Sequence, residues 1–229
     1  MPMPAAAPIL GAVAVRERDG AGMIKPRAYL AGPDVFLENA RAVGDRKKAI
    51  CDDHGIEGVL PLDSDVSTAG LSPLDGGLAI GRENEALMRG CHLLIANMTP
   101  FRGPSADVGT AYEMGFIRAL GRPVFAYSNT TRPYIDRIAE HFAPRGLERR
   151  RDGKLWDPDG LWIEEHDMVD NLMLETAVRD SHGELVRGDV AEPARYSDLS
   201  AFERCVEWIA KHRLPEILRR IAAEEQAHR

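Results

Sequence analysis

Two carboxylates, Asp107 and Glu113, stand six positions apart within the stretch from Asn97 to Gly115. Glu113 is surrounded by Val108, Gly109, Ala111, Tyr112, Met114, Gly115, Phe116 and Ile117, apolar or small company for an acid. Three roles are open to it. It can pair with Arg118 or Arg122 as a structural residue, take a proton as a general base, or attack an electrophilic carbon as a nucleophile. Asp107 adds a second carboxylate at the mouth of the same helix. Two carboxylates on one pocket suit glycosyl transfer with retention, in which one forms a covalent bond to the sugar. Gly109 and Gly115 weaken a helix, so they point to close approach, either of a ligand or of a packed sheet.

The elements that must hold these residues follow from the pattern around them. Leu93 to Asn97 is a short apolar run of strand length, Arg102-Gly103-Pro104-Ser105 is turn chemistry, and Asp107 to Leu120 has helical composition. Either Ser105 or Asp107 can cap that helix through its side-chain oxygen. Upstream, Ala28 to Gly32 reads as a first strand, Asn39 to His54 as a helix stopped by Gly55, Gly58 to Pro61 as a second strand, and Leu78 to Arg89 as a second helix. Pro123 to Tyr127 makes a fourth strand. Strands alternating with helices predict an α/β fold, a flavodoxin-like doubly wound parallel sheet of about five strands with helices on both faces. The fifth strand is placed at Leu161-Trp162-Ile163, Ser181 to Arg195 reads as loop, and Leu199 to Ala227 forms a C-terminal helical tail broken by Pro215. Ligands of such sheets bind beyond the carboxyl ends of the strands, which gathers Asp34, Asp63, Asn97, Arg102, Asp107 and Asn129 on one rim.

The 229 residues fit one domain, taken as 26–229, preceded by an Ala/Pro-rich extension at 1–25 expected to be disordered. A net charge of -7, from 36 acids against 29 bases, argues against nucleic acid as a partner, because backbone phosphates call for a basic face. The basic run Arg145, Arg149, Arg150, Arg151 and Lys154 reads as a solvated loop. Cys51, Cys91 and Cys205 lack metal-type spacing and are expected as reduced thiols in a cytoplasmic protein. No metal site, cofactor or membrane span is expected.

Three blocks carry a family resemblance: Ala31-Gly32-Pro33-Asp34-Val35-Phe36, the run from Ile95 to Gly115, and Asp170-Asn171-Leu172-Met173. Together they closely resemble the nucleoside 2-deoxyribosyltransferases over roughly Ala28 to Met173. The resemblance implies that Glu113 attacks C1′ of a 2′-deoxynucleoside and that a second, free nucleobase then takes the sugar. It implies that Asp107 binds the sugar hydroxyls. Gly32, Asp34, Arg102, Gly109 and Met173 are carried over as substrate-binding positions. It further implies a homo-oligomer in which Asn171 completes the neighbour's site, and a role in nucleotide salvage. Asn84 stands where some members carry an aspartate that handles the base's proton. An amide cannot take that proton, so Asn84 only orients the base or another acid, Asp34 or Asp63, serves. The family's tyrosine position aligns with Leu30, leaving Tyr29 as a strand residue.

Two alternatives stand beside this reading. A related branch of 2′-deoxynucleoside 5′-phosphate N-hydrolases has serine at the position of Asp107. An aspartate there would repel a phosphate by at least about 1 kcal/mol even with full water screening, although Arg102 offsets part of it. The other alternative is a non-catalytic nucleotide-sensing module on the same fold.

Overall fold

The structure is a computed structural model that describes residues 24–64 and 66–227. The disorder expected for 1–25 therefore falls outside it except at Ile24 and Lys25. Five strands, β1 (Arg27–Ala31), β2 (Glu57–Val59), β3 (Leu93–Asn97), β4 (Val124–Ser128) and β8 (Leu185–Arg187), form one sheet in the order β2-β1-β3-β4-β8. All its pairings are parallel. β3 and β4 are buried along their whole length, as strands covered on both faces must be.

The pleat sends alternate residues of β1 to opposite faces. Leu30 joins Phe125 and Tyr127 in a core sealed by α1 (Ala40–Asp53), α6 (Ser200–His212) and α7 (Leu214–Ala227), which contribute Val43, Phe202, Val206 and Ile217. Tyr29 and Ala31 face the other core with Met88 of α2 (Pro73–Arg89), Met114 and Ile117 of α3 (Val108–Ala119), and Leu174 and Val178 of α5 (Leu172–Asp180). Each large side chain so covered contributes about 1.5–3 kcal/mol. This is the doubly wound arrangement expected.

Local chemistry sets the helix ends. Asp107, not Ser105, caps α3, its side chain accepting from the Thr110 amide. Gly55 ends α1 at φ 75°, a left-handed conformation that favours glycine. Pro215 lies at the second position of α7, where its missing amide hydrogen removes no helical bond.

Two expectations are corrected. The fifth strand of the main sheet is β8, inside the segment read as loop, and it runs parallel to β4 with Ala126 opposite Leu185. The strand at Trp162–Ile163 (β7) instead closes a small antiparallel sheet with β5 (Glu148–Arg149) and β6 (Leu155–Trp156), inserted after α4 (Tyr134–Phe142). The basic run belongs to this insertion. Arg145 pairs with Asp159 and Arg149 with Glu165, while Arg150 lies 4.0 Å from the Trp156 ring centroid.

Candidate active site

β1 leads to β2 on one side, while β3, β4 and β8 extend the sheet on the other. The strand order therefore reverses between β1 and β3, and the crevice beyond their carboxyl ends is where such a sheet offers a ligand site. Gly32 follows β1 there and Asn97 ends β3. Gly32 has extended backbone that any residue adopts, but an added Cβ would stand 2.5 Å from Asp34 Oδ1 and 2.6 Å from Asn97 Cβ. Close approach, not dihedral freedom, calls for glycine at this point.

Glu113 lies one turn into α3, half-buried against β1. Tyr29 Oη donates to its Oε1 at 2.7 Å. Burial raises the Glu113 carboxyl to about 7; the Tyr29 hydrogen bond opposes that rise and the charge of Asp107 adds to it. The Tyr29 phenol is itself pushed upward, first by burial and then by the Glu113 charge, so it remains a donor. Of the three roles open to Glu113, the structural pairing with Arg118 or Arg122 is not what the structure shows. Arg118 pairs with Asp180, and Arg122 donates to the carbonyls of Met88, Arg89 and Cys91 at the end of α2. Tyr29, read from sequence as a plain strand residue, is the partner instead.

Asp107 holds the mouth of α3. Its Oδ2 accepts from both the amide and the hydroxyl of Thr110, at 2.9 and 3.1 Å, which fixes the carboxylate's orientation. A Cβ at Gly109 would sit 3.0 Å from that oxygen, so the glycine keeps the carboxylate clear. A Cβ at Gly115 would meet nothing within 4 Å, which removes sheet packing as its reason.

Asp34 is buried and paired within the chain. It is 4% exposed, its Oδ2 accepts from Lys47 Nζ at 2.6 Å, and its Oδ1 accepts from Asn97 Nδ2 at 3.1 Å. Each of its two oxygens is thus engaged by a side chain of the same chain. Lys47, 1% exposed, places its Nζ 5.5 Å from the Tyr127 ring centroid and 5.3 Å from that of Phe202. Asp63, the other acid considered, accepts from Lys48 Nζ and from the Leu60 amide. Asn129 is likewise buried and donates to the carbonyls of Arg195 and Asp198.

Asn84 is half-buried on α2, with its Oδ1 buried and unpartnered. Its neighbour Glu85 accepts from Tyr112 Oη of α3 at 2.5 Å, so Asn84 lies where α2 meets that helix. Arg102 has a left-handed backbone, φ 54°, and its guanidinium lies 4.6 Å from the Phe101 ring centroid and 5.2 Å from that of Phe36. Asn171 caps α5 through its Oδ1, and its neighbour Asp170 accepts from the Ala106 amide of the same chain. Met173 is exposed.

Clefts of about 180 Å³ between α3, α5 and α7, and of about 330 Å³ between Pro100, Thr130, Arg132 and Glu192, contain neither Asp107 nor Glu113. Chemistry rather than volume selects the crevice beside α3. Among the described residues no helix is long and apolar enough to cross a membrane.

Residues 28–173 match the family model described as nucleoside 2-deoxyribosyltransferase. An uncharacterized protein of Schizosaccharomyces pombe is 32% identical over 168 residues, which are 69% of this chain and 79% of that protein. Among solved structures, one named as a 2-desoxiribosyltransferase from Leishmania mexicana is similar at TM-score 0.55 and 25% identity, over 82% of this chain and 99% of that one.

Proposed function

The chain belongs to the nucleoside 2-deoxyribosyltransferase family, and from that premise we propose that it moves a 2-deoxyribosyl group from one nucleobase to another through an ester on Glu113. The observation that carries the reading is the Glu113 carboxylate itself: half-buried, raised to about 7, and held through Oε1 by Tyr29. Its Oε2 is left for attack on C1′. A carboxylate made less comfortable by burial and by Asp107 gives up its charge readily in forming a bond.

In the first step Glu113 Oε2 bonds to C1′ as the C1′–N bond breaks, and the base departs with the bonding pair and takes up a proton. In the second, a ring nitrogen of another base attacks C1′ from the vacated side, the ester breaks, and that nitrogen loses its proton. Two inversions give net retention. Tyr29 steadies Glu113 in both steps. Asp107, with Oδ2 committed to Thr110, offers Oδ1 to a sugar hydroxyl. Asn84 turns its unpartnered Oδ1 to an N–H of the base.

The surface around α3 supports a partner copy. Val108 (84% exposed), Tyr112 and Met173 leave apolar side chains in water near the mouth of the site, and we read this face as the contact through which Asn171 and Met173 reach a neighbouring site. The chain is thus read as one catalytic domain acting in nucleotide salvage as a homo-oligomer.

The test is incubation with a panel of 2′-deoxynucleosides, with and without a second free base, followed by chromatography. A new nucleoside that appears only with the acceptor supports transfer. Free base released at the same rate with or without acceptor, and no new nucleoside, replaces it with the N-glycosidase reading.

A further inference from the structure

The segment from Gly188 to Leu199 lies beyond the residues matched by the family model, yet it is bound to the rim of the site. Gly188 and Val190 donate their amides to the carbonyls of Ser128 and Asn129 at the end of β4. Asn129, 1% exposed, donates its side-chain amide to the carbonyls of Arg195 and Asp198 at 2.8 and 3.0 Å. Between those two anchors stands Tyr196. Its Oη donates to the carbonyl of Pro100 at 2.5 Å, and its ring meets that of Phe101 edge-on, 6.1 Å between centroids. Phe101 is stacked on Phe36 at 5.3 Å and 10°, and the Arg102 guanidinium covers both rings.

This arrangement joins three segments that are far apart in sequence: the turn after β1, the loop after β3, and the C-terminal segment. The loop has its own restraints at either side. The Thr99 amide donates to Asn97 Oδ1, the Phe101 amide to the Ser105 carbonyl, and the Ala106 amide to Asp170. None of these holds the Pro100 carbonyl. The turn is further held by the Phe36–Phe101 stacking and by Arg137 Nε, which donates to the Pro104 carbonyl at 2.8 Å, and Tyr196 adds the side-chain hydrogen bond to the Pro100 carbonyl.

We propose that Tyr196 is a positioning residue for nucleoside binding: it presets the Pro100–Arg102 turn, and with it the Phe36, Phe101 and Arg102 group, in the segments that follow β1 and β3 at their carboxyl ends. The proposal rests on the nucleoside-transfer reading above. Tyr196 touches no substrate in this scheme. Its contribution is to have the turn ordered before the nucleoside arrives, so its loss appears in binding and not in the chemical step.

The test compares Tyr196→Phe and Tyr196→Ala with the wild-type chain by amide hydrogen exchange and by steady-state kinetics. Tyr196→Phe keeps the ring and removes one hydrogen bond. Its expected effect is faster exchange at Phe101 and Arg102 with the β1 and β3 amides unchanged, and KM for the 2′-deoxynucleoside raised by about fivefold to tenfold at nearly constant kcat. Tyr196→Ala is expected to move the same quantities further. Unchanged exchange at Phe101 and Arg102 in both variants overturns the proposal, as does faster exchange with KM unmoved. A fall in kcat with KM constant also overturns it. Absence of base exchange in the wild-type chain is the failure of the nucleoside reading, and the amide data then still decide whether Tyr196 orders the turn.

Discussion

Tyr29 Oη donates a 2.7 Å hydrogen bond to Glu113 Oε1, joining β1 to α3 across 84 positions of sequence. The bond stabilises the charged form of the carboxyl and so opposes the burial that raises it. Tyr29→Phe removes that opposition. The acid limb of the pH–rate profile is expected to move up by about one pH unit, since hydrogen bonds to charged groups contribute about 1.5–3 kcal/mol. A profile that does not move contradicts the pairing.

In the wild-type chain the same carboxyl sets the limb itself. A nucleophile has to be ionised, and the Glu113 carboxyl lies at about 7. On this account kcat/KM falls about tenfold per pH unit below 7 and is flat for a unit or more above it. Measurement from pH 5 to 8.5 in a constant-ionic-strength buffer checks this; an acid limb near 4.5, the ordinary glutamate value, contradicts it.

Stability runs the other way. The folded value of about 7 exceeds the ordinary 4.5, so the folded chain binds the Glu113 proton more tightly than the unfolded chain. That contribution is complete below about 4.5 and is lost as pH rises through 7, amounting to ~3 kcal/mol at most. Glu113→Gln keeps a neutral side chain at every pH. It is expected to unfold at a higher temperature than wild type at pH 8, with the difference closing toward pH 5. A variant less stable than wild type at pH 8 contradicts this.

The Lys47 and Asp34 pair under the crevice is buried on both sides, 1% and 4% exposed. Lys47→Met leaves a buried carboxylate without its cation and is expected to cost about 3–5 kcal/mol in urea unfolding. Combining it with Asp34→Asn removes the orphaned charge and is expected to recover most of that loss. A double variant no more stable than Lys47→Met contradicts the ion-pair account.

The fold was legible wherever a local signal marked it. Gly55 and Asp107 announce helix ends by their own chemistry, and the apolar runs of β3 and β4 announce buried strands. β8 has only three residues, Leu185-Val186-Arg187, and is a strand because β4 supplies its hydrogen bonds, which no local pattern displays. In the site, Asp107 and Glu113 were visible as acids in small, apolar company. Their surroundings were less so. Asp34 shares the rim with them in sequence terms, but its capture by Lys47 depends on how α1 packs over the sheet. Tyr29 carries the clearest lesson. A shift of one residue in a strand moves a side chain to the other face, and here it is Tyr29, not Leu30, that faces α3.

The most direct test of the covalent account is to mix the protein with a 2′-deoxynucleoside in the absence of acceptor base, quench with acid, and measure intact mass followed by peptide mapping. The account requires a deoxyribosyl adduct on the peptide containing Glu113, lost on adding a second base and absent from Glu113→Ala. A chain that exchanges bases with no adduct at Glu113, and whose Glu113→Ala variant keeps its activity, would contradict it.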